Sequence, residues 1–209
     1  MSQSAKGRHF GMVRELRIAD WMTLLNGTAG MGAIFAALDY CITERPEAIW
    51  LSAALLAMAL AFDVLDGRVA RTRQQASDVG RELDSLSDVV SFGVAPAVLG
   101  YALGLRGPVD MLLLTVFVAC GISRLARYNV TAVARADDTG KVRFFEGLPI
   151  PSSLLLVTLL LGLFAAGHTG AGLLGGAIEL IGLTLHPIAL LFLLHGFAMV
   201  SRTIHIPKP

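Results

Sequence analysis

The sequence predicts an all-α membrane protein of six transmembrane helices preceded by a short amphipathic interfacial helix, and three observations carry that prediction. Of 209 residues, 55% are hydrophobic and 16% charged, with a mean hydropathy of +0.66. That is too apolar and too charge-poor for an ordinary soluble domain. Six windows approach the roughly 20 apolar residues that a bilayer-spanning helix needs. Lys and Arg are gathered at alternate ends of those windows, as a polytopic protein requires.

The elements follow in order. From Gly7 to Ala19, Arg8, Arg14 and Arg17 alternate with Phe10, Met12, Val13, Leu16 and Ile18, a basic amphipathic pattern that predicts a helix lying on the membrane surface. A solvated tail is the alternative. This N-terminus lacks the apolar core and small-residue cleavage site of a signal peptide, so insertion is expected to rely on the first span. Spans are expected from Asp20 to Ile42, Pro46 to Ala70, Gly80 to Leu103, Pro108 to Tyr128 and Pro151 to Ala166. The apolar stretch from Ala171 to Val200 is too long for one span and is interrupted by Glu179 and Pro187. It predicts a short interfacial piece and a sixth helix from Thr184 to Ser201. Three regions result: residues 1–19, a membrane domain over 20–203 and a tail over 204–209.

With six spans, the termini and the loops after the second and fourth helices lie on one side and hold 15 of the 17 Lys and Arg residues, leaving Arg45 and Arg106 opposite. The positive-inside rule places the former side in the cytoplasm, in a multi-pass protein of the cell membrane. A net charge of +1 and the lack of a dense basic block give no reason to expect nucleic acid. Cys41 and Cys120 form neither a disulfide framework nor a zinc spacing and are read as packing residues. Small-xxx-small spacings occur at Gly100/Gly104 and Gly172/Gly176, weak pointers to close helix packing in a chain with 22 glycines.

The chemistry concentrates in Asp63 to Asp88, DVLDGRVARTRQQASDVGRELDSLSD. Asp63 and Asp66 share a face at the end of the second span, and Asp84 and Asp88 share a face at the start of the third. A turn between the helices would let the four converge at the cytoplasmic mouth. A solvated helix end would explain one such pair. Four carboxylates in register repel one another and are costly to desolvate, so they call for cations. Hard oxygen ligands suit Mg²⁺, Mn²⁺ or Ca²⁺, and two such ions can clamp a pyrophosphate.

The spacing, D-x2-D-G-x2-A-R-x8-G-x3-D-x3-D, resembles the signature of the CDP-alcohol phosphotransferase family at every position. The six-helix plan with an N-terminal surface helix is similar to that family's membrane domain. The resemblance implies that Asp63, Asp66 and Asp84 bind divalent metal ions that hold the CDP pyrophosphate. Asp88 would complete the second metal site and act as general base toward the acceptor hydroxyl. Gly67, Ala70 and Gly80 would leave room for the nucleotide, and Arg71 would sit beside it. Thr23 and Asn26 would lie near the nucleotide or, on the residues alone, bond another helix. The resemblance further implies a homodimer and direct attack. No His-x-Lys motif supports a phosphohistidine route.

Three further stretches bear on the acceptor: SFGVAP (91–96), SRLARYN (123–129) and FFEGLPIP (144–151). Together they resemble the membrane-integral phosphatidylserine synthases within that family, which implies CDP-diacylglycerol and L-serine as substrates. On that reading Ser91, Phe92, Arg124, Arg127, Asn129, Glu146 and Gly147 are candidates for binding the acceptor or a lipid phosphate. Arg124 and Arg127, three apart, could face one anionic group or merely mark a cytoplasmic helix end. Glu146 could meet the serine ammonium or form a loop salt bridge. Arg135, Lys141 and Arg143 are read as a lipid-headgroup surface, and Gly147, Pro149 and Pro151 as a stiff turn. His195 is read as a packed, hydrogen-bonded histidine, and the histidines at 9, 168, 186 and 205 carry no motif.

Rival readings stay open at this level. One keeps the chemistry with glycerol phosphate, inositol phosphate or choline as acceptor, or with an archaeal ether lipid as donor. Another is a small cation transporter, although a transport site belongs near the bilayer midplane and these aspartates cluster near one interface.

Overall fold

The computed structural model describes residues 16–72, 78–134, 144–180, 182–203 and 205–207. The chain is mostly helical. Helix α1 (Ile18–Thr43) is joined to α2 (Pro46–Thr72) by Glu44 and Arg45. Helix α3 (Asp78–Asp88) continues through a π-helical segment (Val89–Val94) into α4 (Ala95–Leu103), making one continuous rod. Then come α5 (Pro108–Ala134), a 3₁₀ turn (Ile150–Ser153) leading into α6 (Leu154–Ala165), and α7 (Ala189–Val200). Counting the α3–π–α4 rod once, the predicted order of six helices is present.

Four segments are long and apolar enough to cross a membrane: Ile18–Thr43, Pro46–Val69, Val79–Leu103 and Pro108–Thr131. Helices α6 and α7 have 12 residues each. At 1.5 Å per residue each is about 18 Å long, short of a hydrocarbon core of about 30 Å. The expected start of the last helix at Thr184 is corrected to Ala189. Thr184 belongs to a hairpin of β2 (Ile178–Leu180) and β3 (Leu183–Leu185), turned by Gly182 at a φ of 75°. Pro187 follows and cannot donate to a continuing strand, so the helix forms beyond it. A second antiparallel pair joins β1 (Phe144–Glu146) to β4 (His205–Pro207). The predicted surface helix falls largely on residues 1–15, outside the described residues, as do Arg135, Lys141 and Arg143.

Packing explains the chain's inverted surface. Trp21, Phe35, Ile42, Trp50, Leu51 and Met58 are among the exposed side chains of α1 and α2. Their buried faces instead carry Ala33, Ala37, Ile49, Ser52 and Leu56, with Ser52 Oγ donating to the Ala33 carbonyl at 2.9 Å. Small residues bring backbones together where lipid, rather than water, surrounds the helices. The π-helical segment has its own cause: Pro96 lacks an N–H and would clash with the preceding turn of a regular α-helix. Widening the turn, with Ala95 N–H bonded to Val90 O, keeps the rod continuous through it.

The glycine spacings noted in the sequence do not form helix faces here. Gly104 ends α4 at a φ of 129°, and Gly172 and Gly176 lie outside the α-helices. The close approach is made instead by Gly27 and Gly30 of α1, which face Ser87 and Ser91 of the α3–π rod.

Candidate active site

The two acidic pairs converge. Asp63 and Asp66 come from the last turns of α2, while Asp84 and Asp88 come from α3. One carboxylate oxygen from each of Asp63, Asp66 and Asp84 lies within 4.8 Å of the others. Asp88 sits one turn further along α3, at 6% exposure, and the charges of Asp63, Asp84 and Asp66 all act on it. Three carboxylates at that spacing are unfavourable without positive charge between them. Asp84 Oδ1 is buried and has no hydrogen-bond partner among the described residues. An all-oxygen donor set with an unpaired buried carboxylate oxygen fits a hard divalent cation such as Mg²⁺ or Mn²⁺.

Helix α1 supplies the polar wall. Thr23 Oγ1 lies 2.7 Å from Asp66 Oδ2 and 3.1 Å from the Ala19 carbonyl. Asn26 Nδ2 lies 3.2 Å from Asp88 Oδ1, and the Asn26 carbonyl accepts from Ser91 Oγ at 3.0 Å. Beside the carboxylates, a side chain at Gly67 would meet nothing within 4 Å among the described residues, so this position borders open space there. Gly80 is half-buried on α3. Ala70 and Arg71 lie on the helical backbone of α2, with side chains outside the described residues.

The other sequence candidates divide. Arg124 lies over the Tyr128 ring, 5.5 Å from its centroid, and its charge interacts with that of Asp88. Arg127 Nη1 reaches the Val200 carbonyl at 3.5 Å, so the two arginines are engaged differently. Asn129 bonds within the protein: its Nδ2 donates to Ser85 Oγ at 3.0 Å and Glu82 Oε2 at 3.3 Å. Its amide ties α5 to α3, the helix that carries Asp84 and Asp88. Ser91 and Phe92 pack within the protein. Both are fully buried, Ser91 against α1 and Phe92 in the apolar core, because α1 and the rod approach so closely there.

The FFEGLPIP stretch docks on the end of α7. Leu148 N–H donates to the Ala198 carbonyl at 3.1 Å, and Gly147, at a φ of 76°, abuts the Met199 carbonyl where no Cβ would fit. Glu146 lies on β1, its side chain outside the described residues. His195 Nε2 lies 3.1 Å from Ser152 Oγ, which itself donates to the Pro149 carbonyl at 2.6 Å. A hydroxyl has one proton to give, so His195 is the donor in that pair.

Sequence reasoning missed one buried pair altogether. Asp110, fully buried in the first turn of α5, accepts from Gly107 N–H at 3.0 Å and His186 N–H at 2.7 Å and lies 2.6 Å from His186 Nδ1. An acid two residues after Pro108 at a helix start was a readable capping signal. Nothing local marks His186 as its partner 76 residues away.

Helices of membrane length that bring a carboxylate cluster together beside open space define a class of multi-pass membrane protein with an acidic site suited to divalent cations. The model of the CDP-alcohol phosphatidyltransferase family matches residues 16–195, and the chain belongs to that family and is an enzyme of this kind. It is 43% identical over 204 residues to the CDP-diacylglycerol–serine O-phosphatidyltransferase of Saccharomyces cerevisiae, covering 96% of this chain and 74% of that protein. It is 40% identical over 150 residues to the Mycobacterium leprae protein of the same name, covering 70% of this chain and 48% of the relative. It is 35% identical over 146 residues to the archaetidylserine synthase of Methanothermobacter thermautotrophicus, covering 68% of this chain and 57% of the relative.

Proposed function

We propose that this enzyme transfers the phosphatidyl group of CDP-diacylglycerol to the hydroxyl of L-serine, releasing CMP. The observation that carries the reading is the convergence of Asp63, Asp66 and Asp84 on one point, with Asp88 buried a turn deeper. Asp63, Asp66 and Asp84 would hold divalent cations, two of Mg²⁺ or Mn²⁺, with Asp88 completing the second site. When bound, these supply positive charge that offsets the pyrophosphate and the departing CMP. Asp88 takes the proton from the serine hydroxyl. The serine oxygen forms its bond to the lipid-side phosphorus as that phosphorus loses its bond to the CMP oxygen. Gly67 and Gly80 leave space for the nucleotide, with Ala70 and Arg71 along the same helix turn.

Serine as acceptor is supported by the names of the relatives and by the stretches at 91–96, 123–129 and 144–151. Arg124, within electrostatic reach of Asp88, is the group best placed to hold the serine carboxylate. Arg127, Asn129 and Gly147 shape the surrounding frame rather than the acceptor contact, and Glu146 is assigned to the serine ammonium. The segregation of 15 of 17 Lys and Arg residues supports a cytoplasmic site in the cell membrane. The reading includes all six helices as membrane-inserted and a homodimer. The archaetidylserine synthase relative keeps an isoprenoid ether lipid open as donor.

The test is a matrix of acceptors and donors. Purified protein receives CDP-diacylglycerol or its ether-lipid analogue with serine, glycerol phosphate, inositol phosphate or choline, and CMP and lipid products are measured. Serine-dependent phosphatidylserine formation is expected. Product with another acceptor alone, or cation flux in liposomes without CMP release, would contradict the proposal.

A further inference from the structure

The acidic signature does not account for why α1 places two polar side chains in an apolar helix. Thr23 and Asn26 are buried, at 3% and 0% exposure. Their spacing puts both on one face of α1, yet they reach different helices, Thr23 to Asp66 of α2 and Asn26 to Asp88 of α3. An ionised carboxylate only accepts hydrogen bonds, which sets the Asn26 amide with its nitrogen toward Asp88. These contacts are to one carboxylate oxygen each, Oδ2 of Asp66 and Oδ1 of Asp88.

Asn26 is held from behind as well. Its backbone carbonyl accepts from Ser91 Oγ, and the absence of side chains at Gly27 and Gly30 lets Ser87 and Ser91 seat directly on α1. The amide therefore rides on a rigid contact to the same rod that carries Asp88. Its remaining atom, Oδ1, is buried without a hydrogen-bond partner among the described residues. An unpaired buried acceptor is uncommon in folded proteins and is tolerated where a ligand supplies the donor.

We propose that Asn26 is a positioning residue for Asp88: its amide fixes Oδ1 so that Oδ2 receives the acceptor proton, and its own Oδ1 takes a hydrogen bond from an N–H or O–H of the bound substrate. One amide would then couple substrate occupancy to alignment of the base. This deepens the reading of Asp88 as general base and rests on it. It separates Asn26 from a simple nucleotide contact, because the effect falls on turnover more than on CDP affinity.

The experiment compares wild type, Asn26→Ala and Asn26→Ser in detergent with Mn²⁺, measuring CDP affinity by calorimetry, kcat and KM for CDP-diacylglycerol, and melting temperature. For Asn26→Ala, kcat is expected to fall on the order of 10- to 100-fold while CDP affinity and KM stay within about threefold. Asn26→Ser, which retains a donor, should lose less; if the alanine variant fails to fold, the serine variant is read by the same two numbers. A CDP affinity that falls in step with kcat/KM, or a kcat within about threefold of wild type, would overturn the proposal. Wild-type protein that binds CDP but releases no CMP with serine would overturn the reading of the reaction instead, so the two failures are distinct.

Discussion

Gly30 of α1 and Ser91 of the π-helical segment meet so closely that a methyl group added at Gly30 would run into both the hydroxyl and the backbone of Ser91. The contact holds α1 and the rod at the separation that lets Asn26 reach Asp88. Gly30→Ala must push the helices apart, at a cost of about 1–3 kcal/mol for an overpacked interface. Gly32→Ala is the comparison, since its methyl would meet only the flexible end of Leu55 at 3.3 Å. Melting temperature and CMP release should both fall in Gly30→Ala and stay near wild type in Gly32→Ala.

The Asp110–His186 pair lies at the end of the helices opposite the acidic cluster, where α5 begins and the β2–β3 hairpin returns. His186→Ala removes the ring from a fully buried carboxylate that keeps only its backbone donors. A loss of about 1–3 kcal/mol in stability is expected. Turnover per folded molecule should be retained, because no step of the reaction uses this pair. Denaturation in detergent and a specific-activity assay on the folded fraction check both halves.

Asp84 has a carboxylate oxygen buried without a partner among the described residues and offers a carboxylate oxygen to the three-aspartate cluster. Asp84→Asn keeps the shape and removes the charge. The divalent cation concentration for half-maximal activity should rise by about tenfold or more, as expected when a charged oxygen ligand is lost. Titrating Mn²⁺ into metal-stripped wild-type and variant protein reads this directly. An unchanged cation requirement would remove Asp84 from the ligand set.

Much of this was legible in the chain. Apolar windows gave the first four long helices within a few residues, because lipid imposes length and composition on a span. The acidic pairs were legible because helical spacing places i, i+3 and i+4 on one face. The end of the chain was less so: Gly182 and Pro187 break an apolar run into a hairpin and a short helix, while hydropathy registers only the run. Pairings across distance left no local mark. His186 found Asp110, Asn129 found Ser85 and Glu82, and Gly27 and Gly30 found Ser87 and Ser91 through tertiary packing alone. Phe92 and Ser91, read from a recurring motif, are buried in the rod that carries Asp88, Phe92 in the core and Ser91 against α1.

The central claim is that Asp88 acts on the acceptor proton in a site that binds the nucleotide through its neighbours. Asp88→Asn, compared with wild type for CDP affinity and for serine-dependent CMP release, tests it most directly. CDP affinity within about threefold and transfer lowered on the order of 10²-fold or more are expected, the scale of a lost general base. Near-normal transfer in Asp88→Asn would contradict the account.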